Sequence, residues 1–315
     1  MACNDVSSIQ ARIETNLDCC IPGDLFLKAL GSLTGEEVVL SLVQEAVVVQ
    51  QGRSKVKLPI LPLDSFPFDI PETKGKGLTL NASVLNGIEY CLAFSGNDPT
   101  HPAQMGVTLA PDFDDGIAAF STDNYTVSKY QINSTIELPG DVPIILPVFF
   151  CQQLLNLSKV FPKEKIQLFP TSEHLIAELG NEAVLYTKVA VDAEPMDFQR
   201  VLDKHLGESD DYIDSLCSIP DGFDAAVDRA LMVASNEVDK ATTLTVVKGK
   251  LKMETTSSTA ESNDTFSLDC DDIEVRVDPM LTARALKLHS KFSLQEKCLV
   301  FSNEAGCLHM MAYLA

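Results

Sequence analysis

The residues best equipped for chemistry are three acidic clusters, DFDDG at 112–116, ESDDYID at 208–214 and DCDDIE at 269–274. Clustered carboxylates are hard oxygen ligands and could hold a divalent cation. None is joined by a histidine or a second carboxylate recurring at a helical spacing, so all three read as solvated turns between strands. The signatures of nucleotide and hydrolase chemistry do not occur. TKGKGLTL (73–80) lacks the spacing of a phosphate-binding loop, and there is no GxSxG elbow and no HExxH pair. The five histidines, His101, His174, His205, His289 and His309, are scattered, and His309 in the last apolar stretch reads as structural. Nine cysteines form no CxxC pair, and Cys91, Cys151 and Cys298 lie in apolar segments where a thiol acts as a small hydrophobe. We therefore expect no catalytic residue, no metal and no cofactor.

The elements around these residues come from a chain of 315 residues, 45% apolar, with a formal charge of −21. That is enough apolar material to bury a core in two or three domains. No apolar run approaches the roughly 18 residues of a membrane span. The start, MACNDVSSIQ, has neither the basic opening nor the apolar stretch of a signal peptide. We expect a cytoplasmic protein with no membrane partner. Its charge repels nucleic acid at long range unless the few cations gather on one surface.

Internal repetition organises the chain. Five segments open with a helix-start signal and stay amphipathic for about three turns: 22–33, 81–94, 147–161, 221–235 and 278–292. Asn81, Asp221 and Asp278 are suitable N-caps, and Pro279 suits a first helical position. After each helix the period changes from 3.6 to 2 and short alternating strands follow, as in VVLSLVQEAVVVQQGRSKVKL (38–58). Each unit is a strand, a helix and about three strands, too thin to close a core alone. Two units should pair as one domain, both helices on the same sheet face. Stretches at 69–77 and 203–216 read as linkers, giving domains at 1–72, 73–203 and 204–315. Five helices leave one domain short. MACNDVSSIQARIETNLDCC (1–20) lines up with AFSTDNYTVSKYQINSTIEL (119–138), so residues 1–72 read as a domain lacking about one helix and two strands.

GRSKVKLPILPLDSFP (52–67), an edge strand running into prolines, resembles the signature of the bacterial and phage DNA polymerase III beta sliding clamps. DGIAAFSTDNYTVS (115–128) is similar to that family's strand and loop with a threonine-aspartate-glycine-histidine-arginine-leucine run. VPIILP (142–147) with its helix, AVLYTKVAVDAEPMDFQRVL (183–202) and HMMAYLA (309–315) resemble its later strands, crossover and tail. The resemblance implies an α+β DNA-clamp fold, in which paired β-α-β-β-β units make a ring with helices inside and sheets outside. It implies a non-catalytic processivity factor that encircles double-stranded DNA without reading its sequence and tethers the replicative polymerase.

Such a ring must offer cations to phosphate without holding it tightly. The last helix was the natural source: Arg284, Lys287 and Lys291 fall on one face, with Leu281, Ala285, Leu288 and Phe292 on another. Lys28, Lys159 and Arg229 add single cations, whereas the helix from Asn81 carries Glu89 and no cation. The resemblance also implies a pocket taking short apolar motifs of polymerase and clamp-loader subunits. Its matching positions are Gln104, Thr122, Asn124, Tyr125, Thr126 and Val127, with Met310, Met311 and Ala312. Asn124, Tyr125 and Thr126 depart from the family's glycine, histidine and arginine, so peptide preference should differ. For closure of a head-to-tail homodimer, Val56 and Leu58 match the apolar side chains of the family's dimer edge, and Pro59, Pro62 and Pro67 would end that strand and stiffen the crossover. The rival expectation is a clamp-like phage interaction protein or decoy, which binds clamp-binding peptides without encircling DNA. The short first domain, the acidic charge and the cation-free second helix favour it.

Overall fold

The structure, a computed structural model, describes residues 2–3, 7–11, 17–62, 72–73, 75, 77–98, 100–112, 116–132, 136–171, 173–189, 194–207, 212–235, 241–303 and 307–314. Residues 113–115 and 208–211 of two acidic clusters, most of the 69–77 linker, and Pro67 lie outside them. The chain divides into two compact units, Met1–Leu80 with Gln152–Val191, and Asn81–Cys151 with Asp192–Ala315.

The first unit holds two antiparallel sheets. One is ordered β1 (Ala2–Cys3), β2 (Ser7–Ala11), β13 (Ala183–Lys188), β12 (His174–Leu179), β11 (Ile166–Pro170), β6 (Leu78–Leu80). The other is β3 (Val39–Val43), β4 (Ala46–Gln51), β5 (Ser54–Pro59). Helix α1 (Gly23–Gly31) contributes Ala29 to a small core with Val47, Val49 and Leu58. Leu25 and Leu27 of α1 and Val39, Leu42 and Val43 of β3 are exposed.

The second unit holds an eight-stranded sheet, β10 (Ile144–Pro147), β7 (Gly106–Asp112), β8 (Gly116–Thr122), β9 (Thr126–Ile132), β21 (Cys307–Ala312), β20 (Cys298–Ser302), β19 (Lys291–Leu294), β14 (Cys217–Ser218). Beside it is a four-stranded sheet, β17 (Glu261–Ser267), β16 (Lys250–Thr256), β15 (Thr242–Val247), β18 (Ile273–Val277). Its helices are α2 (Ala82–Leu92), α4 (Phe198–Leu206), α5 (Phe223–Ala234) and α6 (Pro279–Leu286), while α3 (Val148–Val160) runs across the division between the units.

Local chemistry explains most of these boundaries. Asn81 Oδ1 accepts the Val84 amide at 3.1 Å and starts α2, and Asp278 Oδ1 accepts those of Met280 and Leu281 ahead of Pro279 to start α6. Gly87 lets α2 lie close to its sheet, since a Cβ there would meet Tyr130 at 3.1 Å and Ala119 at 3.2 Å. Alternation then splits the eight-stranded sheet between two cores. Phe120, Val127, Val300, Leu308 and Met310 pack under α4, whereas Leu299, Phe301 and Met311 pack against α5 and α6.

Three expectations need correction. The stretch 278–292 is not one helix. It ends at Leu286, Lys287 is its C-cap, Leu288 is exposed, and Lys291 opens β19, where Phe292 pairs across to Phe301 and Cys217. Strand pairing of buried Phe292 outweighs the helical spacing read from the sequence. Asp221 is not the cap of α5, a place taken by Gly222 in the left-handed region at φ 78°. Helix α4 was not expected at all, although Asp197, Phe198 and Leu202 carry its cap and apolar face.

Candidate functional site

The positions matched to a peptide pocket gather around the hairpin joining β8 to β9. Asp123 Oδ1 accepts the amides of Tyr125 (3.2 Å) and Thr126 (2.9 Å) and the Thr126 hydroxyl (2.7 Å). Thr122 Oγ1 donates to the Thr126 carbonyl at 2.6 Å, and Asn124 takes the left-handed turn position at φ 73°. Gln104, buried, donates to Asn124 Oδ1 at 2.5 Å. On β21, Met310 stands opposite Val127 and Met311 opposite Thr126, and the Ala312 amide donates to the Tyr125 carbonyl at 3.0 Å.

These residues do not line one pocket. Thr126 and Met311 face α5 and α6, Val127 and Met310 face α4, and Thr122, Thr126, Val127, Met310 and Met311 are all buried. A two-residue period sends neighbours to opposite faces, so Met310 and Met311, both matched to the pocket, are divided between two cores. Of the nine positions, Asn124 and Tyr125 are exposed, Tyr125 at 62%. The α4 face supplies what the sequence reading missed. Phe198 stacks on Phe120 at 5.0 Å, and Met196, Val201, Leu206 and Tyr212 lie half-buried over Val127 and Met310. The signal for it was the apolar spacing from Phe198 to Leu206 behind Asp197.

The other face of the same strands carries a buried polar cluster. His289 Nδ1 lies 2.7 Å from the Ala285 carbonyl, which can only accept, so Nε2 accepts the Tyr90 hydroxyl at 2.6 Å. His309 Nδ1 meets Ser128 Oγ at 2.7 Å, its ring stacks on Phe94 at 4.0 Å, and its Nε2 has no partner among the described residues. Burial pushes both imidazoles below their ordinary pKa, and His289 and Arg284 push His309 further. Burial likewise raises the Tyr90 phenol.

The expected DNA-facing cations are dispersed. Arg284 Nη2 is paired with Asp123 Oδ2, and its guanidinium lies 5.4 Å from the Phe94 ring centroid. Arg229 on α5 makes a two-point ion pair with Asp264 of β17, at 2.6 and 3.2 Å. Lys28 and Lys159 are exposed on α1 and α3, Lys287 is exposed at the end of α6, and Lys291 is half-buried in β19. The cationic stripe of Arg284, Lys287 and Lys291 therefore does not exist as one helical face, because α6 stops before Lys287. At the expected dimer edge, Leu58 is buried and Val56 partly buried in the core under α1, so both point inward, while Lys55 and Lys57 point outward.

No group of three or more metal-ligating side chains occurs among the described residues, and no helix is long and apolar enough to cross a membrane. Cys19, Cys20, Cys91, Cys151, Cys217, Cys270, Cys298 and Cys307 are free thiols.

Helices packed on antiparallel sheets, with sheets continued by strands far apart in sequence, define the DNA-clamp fold. The chain superposes on the Bartonella birtlesii DNA polymerase III beta sliding clamp bound to griselimycin with a TM-score of 0.82, at 21% identity over 100% of this chain and 87% of that one. For the Helicobacter pylori beta clamp bound to a DNA ligase peptide, the values are 0.74 and 17% over 100% and 87%. In sequence, the chain is similar to the beta sliding clamp of Helicobacter pylori strain J99, 27% identical over 197 residues, 60% of this chain and 50% of that protein. It thus spans about half the length of the curated relatives it matches. No family model matches it. Sliding clamps are non-catalytic processivity factors, so the likeness is to proteins that perform no reaction.

Proposed function

We propose that the protein is a DNA sliding clamp, a head-to-tail homodimeric ring around double-stranded DNA that tethers the replicative polymerase in the cytoplasm. Its domains in this reading are 1–72, 73–203 and 204–315. Polymerase and clamp-loader subunits would dock short apolar motifs beside α4, next to Val127 and Met310, and the Helicobacter pylori clamp bound to a DNA ligase peptide supports peptide docking as such.

One observation carries the reading. The third strand after each helix falls into two sets, β9 and β17 after α2 and α5, and β5, β13 and β21 after α1, α3 and α6. β9 pairs with β21, and β2, which the repeat alignment sets beside β9, pairs with β13. By that rule β17 and β5 are left as complementary edges, and each has a neighbour on one side only. Their charges oppose, Lys55 and Lys57 on β5 against Glu261 on β17. A β17 edge of one copy joining a β5 edge of the next repeats the same ladder and closes a ring.

Light scattering should give a dimer that Lys57→Glu dissociates and Lys57→Glu with Glu261→Lys restores. A monomer at every concentration would end this reading. A second reading, a clamp-like protein that takes clamp-binding peptides without encircling DNA, gains from the ion-paired Arg284 and Arg229 and the charge of −21. Retention on circular but not linearised plasmid supports the ring, and retention on neither supports the alternative.

A further inference from the structure

We propose that Arg284 is a positioning residue, which from α6 latches the turn at Asp123 and so fixes the docking face on the opposite side of the sheet. The proposal rests on the peptide-docking part of the reading above. The 122–127 hairpin is the shared part of both faces. Its turn hangs on Asp123, which accepts three hydrogen bonds from Tyr125 and Thr126 through Oδ1 and gives Oδ2 to Arg284. Arg284 also reaches Thr126 Oγ1 at 3.4 Å, tying α6 to the first residue of β9. The next residue, Val127, points the other way, into the floor under α4.

The pair is sheltered. Asp123 is 13% exposed and Arg284 32%, with the guanidinium over Phe94 and its Nε buried without a partner among the described residues. A charge held this way has one good place to be, and a phosphate that captured it would strand the Asp123 carboxylate. Arg284 is therefore occupied in holding Asp123 and is not a spare cation for DNA. Because Tyr125 is exposed at the tip and its carbonyl anchors Ala312, loosening Asp123 shifts Tyr125, Val127 and the end of β21 together. Peptide affinity should depend on an ion pair the peptide never touches.

Two measurements on the full chain separate this from the function it serves. Amide hydrogen exchange without any ligand should show residues 122–127 exchanging about tenfold faster in Arg284→Gln and in Asp123→Asn, with Arg284→Lys intermediate. Arg229→Gln, which breaks a different arginine ion pair of the same unit, should leave them unchanged. Unchanged exchange in Arg284→Gln and Asp123→Asn, or equal acceleration in Arg229→Gln, overturns the latch. If Arg284→Gln does not fold, Asp123→Asn and Arg284→Lys carry the comparison. Binding of a fluorescent copy of the DNA ligase peptide should then weaken about tenfold in Arg284→Gln and Asp123→Asn, and no further in the double variant. Failure of the wild-type chain to bind that peptide sinks the docking reading and the coupling to it, while the exchange result still judges the latch. Normal binding by variants with a loosened hairpin overturns the positioning role.

Discussion

The ladders β2·β13 and β9·β21 are built to one plan and finished differently. Each joins the third strand of one repeat to the last strand of another, antiparallel, over five residue pairs. Around β9·β21 both sheet faces are packed, Val127 and Met310 under α4 and Met311 among α5 and α6, with His309 bonded to Ser128 and stacked on Phe94. Along β2·β13 the Ser7 and Thr187 hydroxyls pair at 2.9 Å and Thr187 also donates to the Lys188 carbonyl at 3.3 Å, while Ser8 Oγ is buried without a partner among the described residues and Ile9 is half-buried. In the same unit, strand β3 and helix α1 leave apolar side chains exposed. Backbone pairing makes both joints and both are covered at their centres, so what differs is the filling, large apolar and aromatic side chains along β9·β21 and small hydroxyl side chains on β2.

The largest test of that contrast is truncation. Met311→Ala should cost about 2–5 kcal/mol, and Ile9→Ala less than half as much, read from urea midpoints. Equal losses would break the comparison. Acid comes next. His289 and His309 are held neutral below their ordinary pKa of 6.5, so below that pH the unfolded chain takes up protons that the folded chain refuses. Stability of the second unit is therefore full above about pH 6.5 and falls as pH drops, by up to about 1.4 kcal/mol per pH unit for each histidine. His309→Gln should flatten this dependence between pH 7.5 and 5.5, and a wild-type slope no steeper than the variant's would refute the assignment. The smallest effects distinguish the serines. Ser128→Ala strands His309 Nδ1 and should cost about 1–2 kcal/mol, whereas Ser8→Ala removes an unpaired hydroxyl and should be neutral or stabilising by up to about 1 kcal/mol.

Much of the fold was legible wherever a signal is local. Asn81 and the Asp278–Pro279 pair announced α2 and α6 because capping is settled within three residues of the cap. The alignment of residues 1–20 with 119–138 anticipated that β2 and β9 hold equivalent places. The candidate site was legible in position but not in orientation. Met310 and Met311 were both matched to the pocket, and their separation into two cores follows from which face of β21 each takes. Lys291 kept helical spacing with Arg284, yet Phe292 drew it into a strand. Nothing near Arg284 in the chain hints at Asp123, 161 residues away.

The sequence by itself determined the repeating helix-and-strand units, their caps and the clamp-like order of their motifs, since each depends on the period and type of neighbouring residues. The tertiary structure decided which charges are occupied and which apolar residues face one another. A cation on a helix is available or committed according to the carboxylate folded against it, and that carboxylate comes from a distant turn.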